Sequence, residues 1–135
     1  MTLRTFVSCA AVLSVLVAAV PVFAHHSFAA EYDSTKVVKV TGNVTRVDWQ
    51  NPHAYFYIDV KIAETGRVEN WAFEMGAPSV IARQGWTKTT LKIGDVIIVE
   101  GTRAKDGGTH GNARSVYMAS TGKKLGAGSS ESVTP

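Results

Sequence analysis

The sequence predicts an all-β fold: a small five-stranded OB-like barrel in the order β-β-β-α-β-β, with one short helix and a helical signal peptide ahead of it. Three observations carry this. From residue 37 to residue 118 apolar side chains recur mostly at period two, the signature of half-buried strands. One stretch, 77–85, breaks that period between the third and fourth strands. In the first strand the apolar phase slips between Val44 and Val47, with Gly42 in the strand interior, as it would in a strand bent to serve both halves of a closed sheet. An open β-sandwich or another small barrel is the competing arrangement.

The front end comes first. Arg4 is the one early charge, and residues 5–20 carry none. Pro21 ends the apolar run, and Val22-Phe23-Ala24 follows with small or β-branched residues where a signal peptidase needs them. The run is short for a membrane span, which takes about 20 apolar residues. A secretory signal over 1–24 is therefore expected, with a periplasmic or secreted product and no stable membrane anchor after cleavage. Cleavage after Ala29 also satisfies the small-residue rule, but Ala24 is the preferred site. Cys9 is the only cysteine and leaves with the signal, so neither a disulfide nor a thiolate metal site is expected in the mature chain.

The remaining chain of about 111 residues suits one domain. The expected organisation is an N-terminal arm over 25–36, the barrel over 37–120 and a flexible polar tail over 121–135. Fourteen basic residues face 11 acidic ones, and Arg4 departs with the signal. That near balance, with no long basic run, argues against nucleic acid as a partner.

Along the barrel, Val38, Val40 and Val44 share one alternation phase, while Val47 and Trp49 take the other, giving a bent strand over 37–49. Gln50-Asn51-Pro52-His53 is turn chemistry. Ala54, Phe56, Ile58, Val60 and Ile62 then alternate with Tyr55, Tyr57, Asp59 and Lys61, the clearest strand in the chain. A short hairpin loop through Gly66 leads to a strand over 68–75, with Trp71, Phe73 and Met75 on one face and Asn70, Ala72 and Glu74 on the other. The helix over 77–85 has Pro78 in its first turn and Gly85 at its end. Residues 91–95 form a turn into a strand over 96–103. A loop over 105–112 precedes the last strand, 113–119, and the residues from Gly122 on are expected to fray.

The motifs HHSF, VDWQNPHA, NWAFE, GW and LKIGD occur together between His25 and about Leu125. In this combination the chain resembles a bacterial exported family catalogued as domain of unknown function 6152. The resemblance implies a signal peptide followed by one small β-domain, and it implies no reaction.

Chemistry must then come from the residues. With cleavage after Ala24, His25 presents a free α-amine and an imidazole together. Both can chelate one metal, and the amine's reference pKa of about 8 frees its lone pair near neutral pH. A further imidazole from His26, His53 or His110 would complete a three-nitrogen site of the kind Cu(II) favours, similar to a histidine brace. The candidate metal ligands are thus His25, His26 and His53, with copper the metal. An exposed polar start with no ligand role is the plain alternative for the histidine pair, and a hydrogen-bonded turn residue is the plain alternative for His53. Trp71, Met75 and Met118 also invite comparison with exported copper chaperones on OB barrels, although an aromatic and a methionine on a strand more commonly pack a core.

Trp49, Tyr55, Tyr57 and Trp71, with Trp86 nearby, offer a second reading: an aromatic face for an envelope glycan, small ligand or protein partner. An enzyme is not expected. The chain has no G-x-S-x-G elbow, no Gly-rich phosphate loop and no H-E-x-x-H, and Asp48, Asp59, Glu69 and Glu74 show no spacing that pairs them as acid and base.

Overall fold

The computed structural model describes residues 28–133. The segment expected to be a signal peptide, His25 and His26 lie outside these residues. The described residues are mainly β, as expected, with six strands among them where five were predicted. A short helix α1 (Phe28–Glu31) leads directly into β1 (Tyr32–Asp48). β2 (Tyr55–Lys61) and β3 (Val68–Glu74) follow, then α2 (Pro78–Ala82), β4 (Val96–Ala104), β5 (His110–Met118) and β6 (Lys124–Gly126), with a 3-10 turn at Ser130–Val133.

Strand β1 organises the sheet. Its first part pairs antiparallel with β4, from Tyr32 opposite Ala104 to Asn43 opposite Val96. Its second part pairs with β2, from Asn43 opposite Asp59 to Asp48 opposite Tyr55. The exchange of partners falls at Asn43, and the register slips between Val44 and Arg46, where the sequence phase slips too. Gly42 lets this happen: a Cβ there would stand 2.6 Å from the Asp59 carbonyl oxygen, closer than any side chain tolerates. The sheet order is β3-β2-β1-β4-β5-β6. A short parallel pairing, Ala72–Glu74 against His110–Asn112, also joins β3 to β5.

Alternation decides which side chains fill the interior. Phe56, Ile58, Phe73, Ile97, Val99 and Val116 are fully buried on the concave side. Phe56 lies opposite Phe73 and Ile58 opposite Trp71, so bulky rings meet across the β2–β3 pair. The Phe56 and Phe73 centroids are 5.5 Å apart, and those of Trp71 and Phe73 are 5.8 Å apart, both stacked. The cross-strand Phe56–Phe73 pair helps fix the register, and Trp71 stacks beside Phe73 along β3 itself, adding to area burial. Helix α2, entered through Pro78, brings Ile81 into the same core, and Met75, Trp86 and Leu91 surround it.

Four boundaries differ from the sequence expectation. β1 starts at Tyr32 rather than residue 37, because Tyr32 pairs with Ala104 past an irregular stretch of polar residues that masks the strand in the sequence. Helix α2 ends at Ala82, before the expected Gly85. β5 begins at His110, which places that histidine on a strand rather than in the preceding loop. Finally, the segment expected to fray forms β6. Leu125 and Ala127 are buried, Val116 pairs with Leu125, and the Trp86 Nε1–H donates to the Gly126 carbonyl at 2.7 Å. Two apolar residues set among glycines, serines and lysines gave no periodic signal of this.

Candidate functional site

The outward face of β2 and β3 carries the chemistry. Register places Tyr55 opposite Glu74 and Tyr57 opposite Ala72, with β5 adding His110 beside Ala72 through the parallel pairing. The small Ala72 side chain leaves space between larger neighbours. A groove of about 410 Å³ results, lined among others by Tyr32, Tyr55, Tyr57, Glu74 and His110.

Glu74 is the centre of this face, although its side chain is only 7% exposed. A buried carboxylate must be matched by donors. The Tyr32 hydroxyl donates to Oε2 at 2.7 Å, and the Tyr55 hydroxyl donates to the same oxygen at 3.2 Å. The His53 Nδ1 approaches Oε1 at 2.5 Å. Two stretches far apart in sequence thus meet at one carboxylate: the start of β1, and the turn into β2 with the first residue of β2. Burial pushes the Tyr32 phenol well above its ordinary pKa, and its hydrogen bond to Glu74 pushes in the same direction. The Tyr55 phenol is pushed up to about 12 by burial and by the neighbouring Glu74 charge. Both therefore stay protonated donors across the physiological range.

The N-terminal arm holds Tyr32 in place. Phe28 packs on it with ring centroids 5.4 Å apart, and Phe28, Tyr32 and Ala104 form a small buried cluster of their own. The Lys105 backbone N–H donates to the Glu31 carbonyl at 2.9 Å, and the Lys105 side chain bonds the Ala29 carbonyl.

The sequence-derived candidates separate as follows. His53, Tyr55 and Tyr57 lie on or beside the groove. Trp71 does not. It is opposite the buried Ile58 and only 5% exposed, so register turns it inward, away from Tyr55 and Tyr57, and the expected aromatic face loses it. Trp86 is likewise buried. Trp49 is partly buried and packs against the core from the end of β1. Met75 is fully buried, away from any role as an accessible thioether. His25 and His26 lie outside the described residues. Among the described residues no group of three or more His, Cys, Asp or Glu side chains converges, so His53 has Glu74 beside it but no second imidazole. Among them, too, no helix is long and apolar enough to cross a membrane.

Glu74 and Tyr32 were missed from the sequence as site residues. Their separation of 42 positions hides the contact, and although Glu74 closes the NWAFE motif, nothing in that motif ties it to Tyr32. One signal was available: Glu74 follows Phe73 in a strand whose neighbours are apolar, a position where a carboxylate needs partners.

Fold and site together define a small all-β protein with a polar, tyrosine-lined groove on one outer sheet face. The chain belongs to the family of unknown function DUF6152, whose family model matches residues 11–114. No curated protein matches it.

Proposed function

We propose that this is an exported binding protein, built as an OB-like barrel, that takes a small ligand on its β2–β3 face. Closing β1-β2-β3-β5-β4 back onto β1, with a helix between β3 and β4, is the OB arrangement. In that class the face of the second and third strands, flanked by the loops after the first and fourth, takes the ligand. The groove occupies this position. The observation that carries the reading is Glu74: a buried carboxylate fixed by Tyr32, Tyr55 and His53 makes a rigid polar floor under an open groove. Carboxylates at such a floor repel phosphate, which speaks against oligonucleotides. Binding rather than catalysis is the role, and an envelope glycan, small molecule or protein segment is the partner class.

Export rests on the N-terminal pattern. Burial of Phe28 against Tyr32 favours cleavage after Ala24 over Ala29, because the later cut removes Phe28 and unlocks Tyr32. The mass of the exported protein tests this: a chain starting at His25 is expected, and one starting at Ala30 sinks it. The groove is tested by ligand-observed NMR with envelope fragments. Tyr55→Ala with Tyr57→Ala is expected to abolish binding while circular dichroism keeps its β signature. Unchanged binding counts against the groove.

One observation favours a copper role for the same protein. Glu74 engages His53 Nδ1, the carboxylate–histidine arrangement that orients metal-ligating imidazoles, so Nε2 would be the metal-binding nitrogen. His25 lies three residues before Phe28, so its amine and imidazole can reach no more than about 11 Å of chain from that anchor. His25, with His26 or His53, would hold Cu(II) by nitrogen donors. Copper titration of the exported protein tests it. Both His25→Ala and His53→Ala are expected to weaken binding at least about tenfold, and a tight site that survives His25→Ala overturns it.

A further inference from the structure

The charge pattern of the groove narrows its ligand. We propose that the β2–β3 groove binds a small organic cation, an alkylated ammonium of the choline type, held against Tyr55 and Tyr57 and neutralised by Glu31 and Glu74. This rests on the groove reading above and names its ligand class.

Two carboxylates, Glu31 and Glu74, line the groove, and neither Lys nor Arg does. The basic side chain present, His110, has its Nε2 3.8 Å from the Asp106 carboxylate, which offsets any charge it carries. Glu31 has no ion-pair partner among the described residues. Its neighbour Glu74 accepts three hydrogen bonds, and a carboxylate offers about four lone-pair directions, so it retains acceptor capacity and negative potential toward the groove.

The walls suit a cation better than a sugar. An alkylated ammonium is attracted to tyrosine ring faces by their quadrupole and needs no directed donors in return. One face of Tyr57 already holds a cation in this way, the solvent-exposed Arg46 guanidinium 3.8 Å from its ring centroid, so a ligand would use the other face or displace Arg46. Tyr55 spends its hydroxyl on Glu74, so what it offers a ligand is aromatic surface rather than hydrogen bonds, while Tyr32, buried beneath Phe28, is part of the floor. A pyranose would find the Tyr32 and Tyr55 hydroxyls already taken, leaving it Glu31, Asn70, Thr109 and the Tyr57 hydroxyl among the lining groups. At about 410 Å³ the groove is within the range of small-molecule sites.

The experiment is calorimetric titration at low salt with choline and with 3,3-dimethylbutan-1-ol, which replaces the ammonium nitrogen by carbon at the same shape. Choline is expected to bind at least about tenfold more tightly than the alcohol. Glu31→Gln, at an exposed position, is expected to weaken choline several-fold with an unchanged melting temperature. Equal affinity for the two compounds overturns the cation assignment. So does N-acetylglucosamine binding that is lost in Tyr57→Ala while choline fails to bind; the groove itself then stands. If none of the three compounds shifts the Tyr55 or Tyr57 amide resonances at millimolar concentration, the groove reading and the cation assignment fall together.

Discussion

Glu74 shows how a single side chain can define a site that its own sequence neighbourhood conceals. Hydrogen bonds to charged groups contribute about 1.5–3 kcal/mol, and a stranded buried donor costs about as much. Tyr32→Phe removes one such bond without opening a cavity. It is expected to lower unfolding free energy by about 1.5–2 kcal/mol in urea titration, whereas Tyr57→Phe, whose hydroxyl makes no bond to Glu74, is expected to change little. The same cluster sets alkaline behaviour. Tyr32 and Tyr55 have raised folded pKa values, so the folded state favours the neutral phenol. Their contribution to stability is whole below the unfolded value of about 10 and is lost as pH rises through the folded values. Two of the four tyrosines should therefore ionise late, near pH 12 or above, when followed by ultraviolet absorbance. Glu74→Gln removes the neighbouring charge and should move the Tyr55 transition toward 10.

At the scale of elements, legibility followed local pattern. The alternation of Phe56, Ile58 and Val60 against Tyr55, Tyr57 and Asp59 gave β2 directly, and the phase slip between Val44 and Val47 gave the bend in β1. What escaped was non-local. β6 is three residues long and is defined by its pairing with β5 and by Trp86 reaching the Gly126 carbonyl, neither of which leaves a period in the sequence. The start of β1 at Tyr32 escaped for the same reason, since its partner is Ala104. Three changes test the elements. Gly42→Ala forces a Cβ onto the Asp59 carbonyl where β1 changes partners and is expected to cost about 2 kcal/mol or more in chemical denaturation. Gly101→Ala would press on the Asn112 carbonyl at the irregularity between β4 and β5 and should act likewise. Truncation after Gly122 removes buried Leu125 and Ala127 and the partner of Trp86, and is expected to cost about 3 kcal/mol or more, read as a fall in melting temperature.

For the molecule as a whole, the decisive feature is that one 17-residue strand, β1, is shared by two neighbours along different parts of its length. Loosening either neighbour exposes part of the same backbone, so neither half of the sheet has an independent seam along which to part. Amide deuterium uptake should reflect this. The interior of β1 around Thr41–Val44 is expected to resist exchange until the entire domain opens, whereas the short β6 edge should trade its protons sooner, by small local fluctuations. A groove laid over such a backbone keeps its shape while the rim breathes, and a visiting molecule would meet the same contour on every encounter.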